Sequence, residues 1–310
     1  MTVIDRLAGA SRIGLGLAAV GRPGYITLGR EADLPAGRTV EAMRDRAHEL
    51  LDQAYAAGVR YVDVARSYGR AEEFLAQWLR ARPDAADVVV GSKWGYTYVA
   101  GWRVDAEAHE VKDHSVATFD RQLGESRALL GDRLDLYQIH SVTPDSPALR
   151  DEVLHRRLAD LAAQGTVIGL STSGPAQAEA IRAALGIRVG GRPLFRSVQA
   201  TWNPLEPSAG PALAEAHDAG CLVIVKEALA NGRLAGAGSL ASGGAPADAV
   251  ALAAALQQPW ATVVLSGAVT GDQLASNLRA QTLTVDPARW QGLAMPSARY
   301  WRERSQLPWA

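Results

Sequence analysis

LDLYQIHSVTPDSPALRDEVLHRRLADLAAQGTVIGL, residues 134–170, holds one full unit of the chain's architecture. Leu134–Ile139 reads as a strand, residues 151–164 as a helix and Val167–Leu170 as the next strand. Strand, helix, strand in that order calls for parallel strands joined by a right-handed crossover. Along the chain the strands are mostly short apolar runs rather than polar/apolar alternations. That is the pattern of a sheet whose outer face is covered by helices.

The unit recurs on both sides. Upstream, Ile13–Leu17 leads through a polar, Gly-rich loop to a helix over 40–57. There Leu50, Leu51, Ala54 and Tyr55 recur at helical spacing, and Gly58 stands at the cap. Tyr61–Val64 precedes a helix holding Phe74, Leu75, Trp78 and Leu79 that ends before Pro83, and Val88–Lys93 precedes Val116–Leu130. Downstream, helix 176–185, strand 198–201, helix 209–219, strand 222–225, helix 247–256, strand 262–265 and helix 272–280 follow, then a helical segment over 287–303. Eight such units favour a closed (β/α)8 barrel over a doubly wound sheet of about five or six strands. A doubly wound dinucleotide fold would also want G-x-G-x-x-G after the first strand, and Gly14, Gly16 and Gly21 are spaced wrongly for it. The expectation is a single barrel domain over 1–310, with long loops after strand three (94–115) and strand seven (227–246). Both loops lie on the face where barrel enzymes carry their chemistry. The Gly/Ser/Ala-rich stretch 236–244 is expected to be mobile.

Bulk properties narrow the function. A formal charge of −1, with 21% charged residues, leaves no basic footprint for nucleic acid or an anionic membrane. One cysteine, Cys221, allows neither an internal disulfide nor a thiolate cluster. No run of apolar residues is long enough to span a membrane, and the N-terminal MTVIDRLAGASR has no apolar signal core, so the expected compartment is the cytoplasm. His109, Glu110, Asp113 and His114 cluster in the third loop without the spacing of a zinc site, so no metal is expected.

The polar residues that end the strands are the candidates for chemistry. Strand two ends at Asp63 with Tyr68 in the following loop, strand three at Lys93, and strand four at Gln138 and His140. Each alone has an ordinary structural explanation; together, on adjacent strands of one face, they suit one task. A phenol has a pKa of about 10, and a nearby ammonium favours the phenolate and pulls it down. An aspartate keeps that ammonium charged and fixed. A histidine beside them can hydrogen-bond a substrate oxygen. The set makes a proton donor facing an oxygen.

YVDVARSYG (61–69), GSKWGY (91–96) and DLYQIH (135–140) resemble, in order and separation, the signature regions of the aldo-keto reductases. The resemblance implies Tyr68 as proton donor to a carbonyl, tuned by Lys93 and Asp63, with His140 positioning the substrate. GLSTSG (169–174) resembles the family segment whose Ser171 and Thr172 would hold the nicotinamide amide, and Gln199 would reach the same amide. VVLSGAVTGDQLASNLRA (263–280) is similar to the adenosine-phosphate segment at Gly267, Thr270, Gln273 and Asn277. Lys226, Glu227 and Arg233, after strand seven, complete the expected cofactor contacts. The implied cofactor is NADP, with NAD possible. The implied partner is a small carbonyl or sugar substrate, walled by Tyr96, Trp102 and Trp202.

Three departures stand out. The stretch 226–233 lacks the aromatic residue that stacks on the nicotinamide in many relatives, leaving the Lys226 stem to pack the ring. Gly267 and Gln273 replace a basic pair that often grips the 2′-phosphate, so discrimination between NADP and NAD should be weak, with Arg233 and Arg279 as substitute cations. No long C-terminal loop is expected to close the site. Two other readings are open: a Schiff-base lyase using Lys93, and a cofactor-binding regulatory subunit with little turnover.

Overall fold

The computed structural model describes residues 3–26, 28, 32–236 and 244–309. Eight parallel strands close into a barrel: β1 Ile13–Gly16, β2 Tyr61–Asp63, β3 Val89–Trp94, β4 Leu136–Val142, β5 Val167–Thr172, β6 Ser197–Thr201, β7 Leu222–Lys226 and β8 Val263–Ser266. Each strand pairs with its sequence neighbours, and β8 closes on β1 through Ile13 opposite Val264. The helices between them are α1 Val40–Ala56, α2 Ala71–Ala81, α3 Val116–Leu130, α4 Glu152–Ala163, α5 Gln177–Leu185, α6 Gly210–Asp218, α7 Ala247–Leu256 and α8 Gly271–Leu278. Thr39, Ser115, Asp151 and Thr270 cap α1, α3, α4 and α8 by accepting backbone N–H groups. Among the described residues no helix is long and apolar enough to cross a membrane.

Two cores divide the apolar residues. The larger lies between strands and helices. The smaller fills the lower barrel with Tyr61, Val89, Leu136, Leu222, Ile224 and Val263, closed beneath by Val3 and Leu7 of a short helix, Val3–Leu7, that the sequence pattern did not announce. Space for the Tyr61 ring comes from glycine. A Cβ on Gly14 would sit 2.9 Å from the ring, and one on Gly91 would overlap the Tyr61 hydroxyl. Because side chains alternate along a strand, the residues two beyond this apolar layer, Asp63 after Tyr61 and Lys93 after Gly91, share its face at the C-terminal end of the barrel.

Three segments differ from expectation. The loop over 94–115 folds partly into a hairpin, Tyr96–Tyr98 antiparallel to Glu110–Lys112; strands of three residues are too short to show a period. The helical segment over 287–303 is instead two 3-10 turns and a helix, Ser297–Ser305, divided at Pro296, where proline disfavours helix in the preceding residue. In the loop over 227–246 a 3-10 turn occupies Ala230–Gly232. The mobility expected for 236–244 falls almost wholly on 237–243, outside the described residues.

Gly91→Ala should lower unfolding free energy by about 1–3 kcal/mol, the usual cost of overpacking, as measured by urea denaturation. Adding Tyr61→Phe should recover part of that loss. A Gly91→Ala protein as stable as its parent would contradict the packing argument.

Candidate active site

At the C-terminal mouth Lys93 is fully buried, and its ammonium donates to Asp63 Oδ2 and, at 2.9 Å, to the Val64 carbonyl. Asp63 also accepts from Gln199 Nε2 at 2.7 Å and from the Tyr61 hydroxyl at 3.4 Å. The Tyr68 ring lies above this pair, its centroid 4.7 Å from Lys93 Nζ. His140 stands edge-on to that ring at 5.5 Å. The four residues singled out from separate segments share one rim.

Their electrostatics depart from expectation in one respect. The Tyr68 phenol is pushed well above its ordinary value, first by burial and then by Asp63 and Tyr25, against the opposing pull of Arg22. The expected acidification is outweighed because the ring is removed from water, which disfavours phenolate. Burial likewise pulls the Lys93 ammonium down, opposed by Asp63. His140 lies well below its ordinary value because burial, Lys93, Lys226 and Arg22 all disfavour imidazolium. It is therefore neutral. Its Nδ1 lies 3.3 Å from Ser67 Oγ; in the tautomer where that hydroxyl donates, the proton is on Nε2, available to an oxygen.

A bulge aims His140. Pairing between β4 and β5 shifts register between Ile139 and Val142, and Ser141 takes a positive φ of 53°. Ser171 Oγ accepts the Ser141 N–H at 2.8 Å, and His114 contacts the His140 carbonyl through Nε2 at 2.8 Å. Ser171 thus braces the bulge. It does not line the groove described below, and neither does Thr172, whose hydroxyl donates to Gln177. Ser171 nevertheless stands opposite Gln199 in the register of β5 and β6, next to a residue that does line the groove.

Several rim residues were missed from sequence. Arg22, 2% exposed, donates to the Ser67 carbonyl at 2.9 Å and to Glu110 at 2.6 Å, with its guanidinium 5.2 Å from the Tyr68 ring centroid. Trp309 stacks on His109 at 4.2 Å and lies beneath the same guanidinium at 4.9 Å, so the short segment after the last helix reaches the rim. Arg304 gives both arms to Glu227, one of the expected cofactor contacts. Burial would raise Glu227, but Arg304 and Lys226 hold it at about 2. The only signal was GRPGY (21–25), an arginine and an aromatic after the first strand.

A groove with about 1100 Å³ of open space runs from Asp63 and Tyr68 across β7 and β8 to the N-terminus of α8. Among predicted residues it is lined by Gln199, Lys226, Glu227, Gly267, Gln273 and Asn277; unpredicted ones include Tyr25, Asp33, Asn231 and Asp248. Thr270 is not on its wall and serves as the cap of α8. Lys226 donates to Thr201 Oγ1 at 2.8 Å and is pulled down to about 8 by burial. Arg233 turns away, its guanidinium over the Tyr300 ring at 4.2 Å and 3.5 Å from Glu303. Of the expected substrate wall, Tyr96 stands edge-on to His140 at 5.1 Å. Trp202 instead packs in the core between Trp260 and Trp290. Trp102 packs on Phe74 and donates to the Arg38 carbonyl. Both indoles are apolar bodies engaged by other rings of the fold, which spacing alone does not distinguish from a pocket wall.

Residues 13–242 match the model of the aldo/keto reductase family. An aldo-keto reductase of Strobilurus tenacellus is 28% identical over 230 residues, 72% of this chain and 62% of that protein. An aryl-alcohol dehydrogenase [NADP(+)] of Phanerodontia chrysosporium is 26% identical over 52% of this chain and 42% of its own. The matches thus span less than two thirds of either relative. Among solved structures, an aldo-keto reductase of Pseudomonas aeruginosa superposes with a TM-score of 0.64 at 25% identity, covering 89% of this chain and 92% of that one. One from Bacillus halodurans in its holo form gives 0.66 at 20% identity, covering 95% and 92%. With the barrel closed, the strand-end residues gathered at its mouth and three quarters of the chain within the family model, this protein belongs to the aldo/keto reductase family.

Proposed function

We propose that this chain interconverts a carbonyl (aldehyde, ketone or aldose) and the matching alcohol by hydride transfer with a nicotinamide cofactor, Tyr68 acting as general acid/base. The observation that carries this reading is the meeting of Asp63, Tyr68, Lys93 and His140 at one end of an open groove. Relatives described as aldo-keto reductases and as an aryl-alcohol dehydrogenase [NADP(+)] support the reaction class.

The groove suits a nicotinamide dinucleotide. Gln199 commits Nε2 to Asp63, which leaves Oε1 buried and without a partner, suited to an N–H of the carboxamide. Asn231 Oδ1 is likewise buried and unpartnered on the groove wall. Gly267 leaves open space where a side chain would stand. Gln199 would hold the carboxamide, and Gly267, Gln273 and Asn277 the adenosine end. When bound, the cofactor supplies or accepts the hydride.

The chain's residues handle the proton. Neutral His140 donates Nε2–H to the carbonyl oxygen and orients it. As that oxygen gains charge, the Tyr68 hydroxyl delivers its proton. The Lys93 ammonium, held by Asp63, offsets the charge left on the phenol. In the oxidative direction the Tyr68 phenolate takes the alcohol proton. Schiff-base chemistry at Lys93 finds no support, since imine formation needs an accessible neutral amine and this one is buried in an ion pair.

Tyr68→Phe should reduce turnover of an aldehyde by about 10²–10⁴-fold while leaving cofactor affinity, followed by fluorescence titration, close to the parent's. Undiminished turnover in this variant would remove Tyr68 as the acid.

The raised phenol pKa fixes the sign of the pH dependence. Reduction uses protonated Tyr68, so kcat/KM for an aldehyde should stay level from neutrality to about pH 10. Oxidation uses the phenolate and should still be rising there. Because His140 works neutral and its pKa is depressed, reduction should show no loss near pH 6.5. Loss of reduction as pH rises through neutrality would contradict the Tyr68 assignment, and loss as pH falls through about 6.5 would contradict neutral His140.

A further inference from the structure

The end of the groove away from Tyr68 is walled by carboxylates. Asp33 and Asp248 both line it, together with Gly267, Gln273 and Asn277 at the N-terminus of α8. Gln273 Nε2 donates to Asp33 Oδ2 at 2.8 Å, while Gln273 Oε1 accepts the Val269 N–H at 2.9 Å, so the amide is fixed in one orientation. With its amide nitrogen turned to the carboxylate, Asn277 donates to Asp248 Oδ2 at 2.9 Å and accepts from Ser266 Oγ at 2.8 Å.

Among the described residues, the one basic side chain on the groove wall is Lys226, which β7 places toward the catalytic end and which bonds to Thr201 and sits beside Glu227. Among the described residues, the nearby arginines are engaged elsewhere or off the wall. Arg46 does not line the groove; it donates through Nη1 to the carbonyls of Asp33 and Val269 and pairs through Nε with Glu49. Arg279 is an exposed side chain 3.5 Å from the Gly244 carbonyl. Arg233 lies against Tyr300 and Glu303. The two substitute cations expected from sequence are thus not on the described wall.

From this arrangement we infer that the adenosine end is built for a ribose with free 2′- and 3′-hydroxyls, so that the cofactor is NAD(H) rather than NADP(H), with Asp33, held by Gln273, as the discriminating residue. The inference rests on the dinucleotide reading above and reverses the expectation of NADP. Its physical basis is simple. Hydride transfer beside Tyr68 puts the nicotinamide at the catalytic end and the adenosine at the other. A 2′-phosphate carries about −1.5 to −2 charges and needs a basic partner; here it would meet carboxylates. A ribose diol is a pair of O–H donors, and a carboxylate accepts on both oxygens.

The test is a titration of the whole chain with NADH and NADPH, read by fluorescence or calorimetry, with ADP-ribose and its 2′-phosphate as probes that lack nicotinamide and report on the adenosine end alone. NADH and ADP-ribose should each bind at least about tenfold more tightly than the 2′-phosphorylated partner. Asp33→Asn should narrow that ratio, and Asp33→Asn with Gln273→Arg should bring it to parity or reverse it, both variants being checked for parental thermal unfolding. Equal or tighter binding of the phosphorylated forms by the parent would overturn the inference. A strong NADH preference untouched by Asp33→Asn would overturn the assignment to Asp33. Tight NADH binding with no turnover of any carbonyl would sink the enzymatic reading and leave this one standing, whereas turnover with NADPH preferred would do the reverse.

Discussion

The buried contact between the Lys93 ammonium and the Asp63 carboxylate is the constraint around which the mouth of the barrel is arranged. Both groups are essentially out of water, so neither can lose its partner cheaply; stranding one charge typically costs about 3–5 kcal/mol. The barrel covers that cost with neutral hydrogen bonds. The Val64 carbonyl takes a second lysine proton, and Gln199 and Tyr61 donate to Asp63. Glycines at 14 and 91 leave room for the Tyr61 ring to rise beneath the pair. The floor of the active site is thus part of the packing of the barrel.

That setting explains why the phenol above the pair is harder, not easier, to ionise. A cation favours phenolate, but desolvation and the partner carboxylate work against it, and here they prevail. The consequence is a site whose resting form holds a protonated Tyr68 and a neutral His140. Both groups can donate to an oxygen at once, which suits carbonyl reduction. Arg22 is the principal opposing influence among the surrounding charges, and it is held in turn by Glu110 of the hairpin. The loop after β3 therefore contributes to the electrostatics of the site as well as to its wall.

Backbone strain is concentrated around this mouth. Ser141, Glu227, Ala230 and Asn231 all carry positive φ values, and each adjoins a group that faces or supports the site. Such conformations cost of order 1–3 kcal/mol each and persist where surrounding bonds hold them. Ser171 holds Ser141, Arg304 holds Glu227, and the Ile26 carbonyl receives the Asn231 amide. Ser171, expected as a cofactor contact, thus also fixes the backbone.

Periodicity determined the architecture. Eight strand–helix alternations place the strand ends on one face, and a side-chain period of two decides which residues point inward, so Asp63, Lys93 and His140 were legible as a group and Tyr68 followed from its segment. What the sequence could not carry was anything set by distant partners. Trp202 and Trp102 have the composition of pocket walls, yet Trp202 is buried against Trp260 and Trp290 and Trp102 is half-buried against Phe74. Arg22 and Asp33 sit in segments without period and Asp248 in the first turn of α7, and only closure of the barrel brings them to Tyr68 or to α8. The sign of the Tyr68 shift also waited on the tertiary structure, because a charge's neighbours can be guessed from spacing, while the loss of water around it depends on the whole fold.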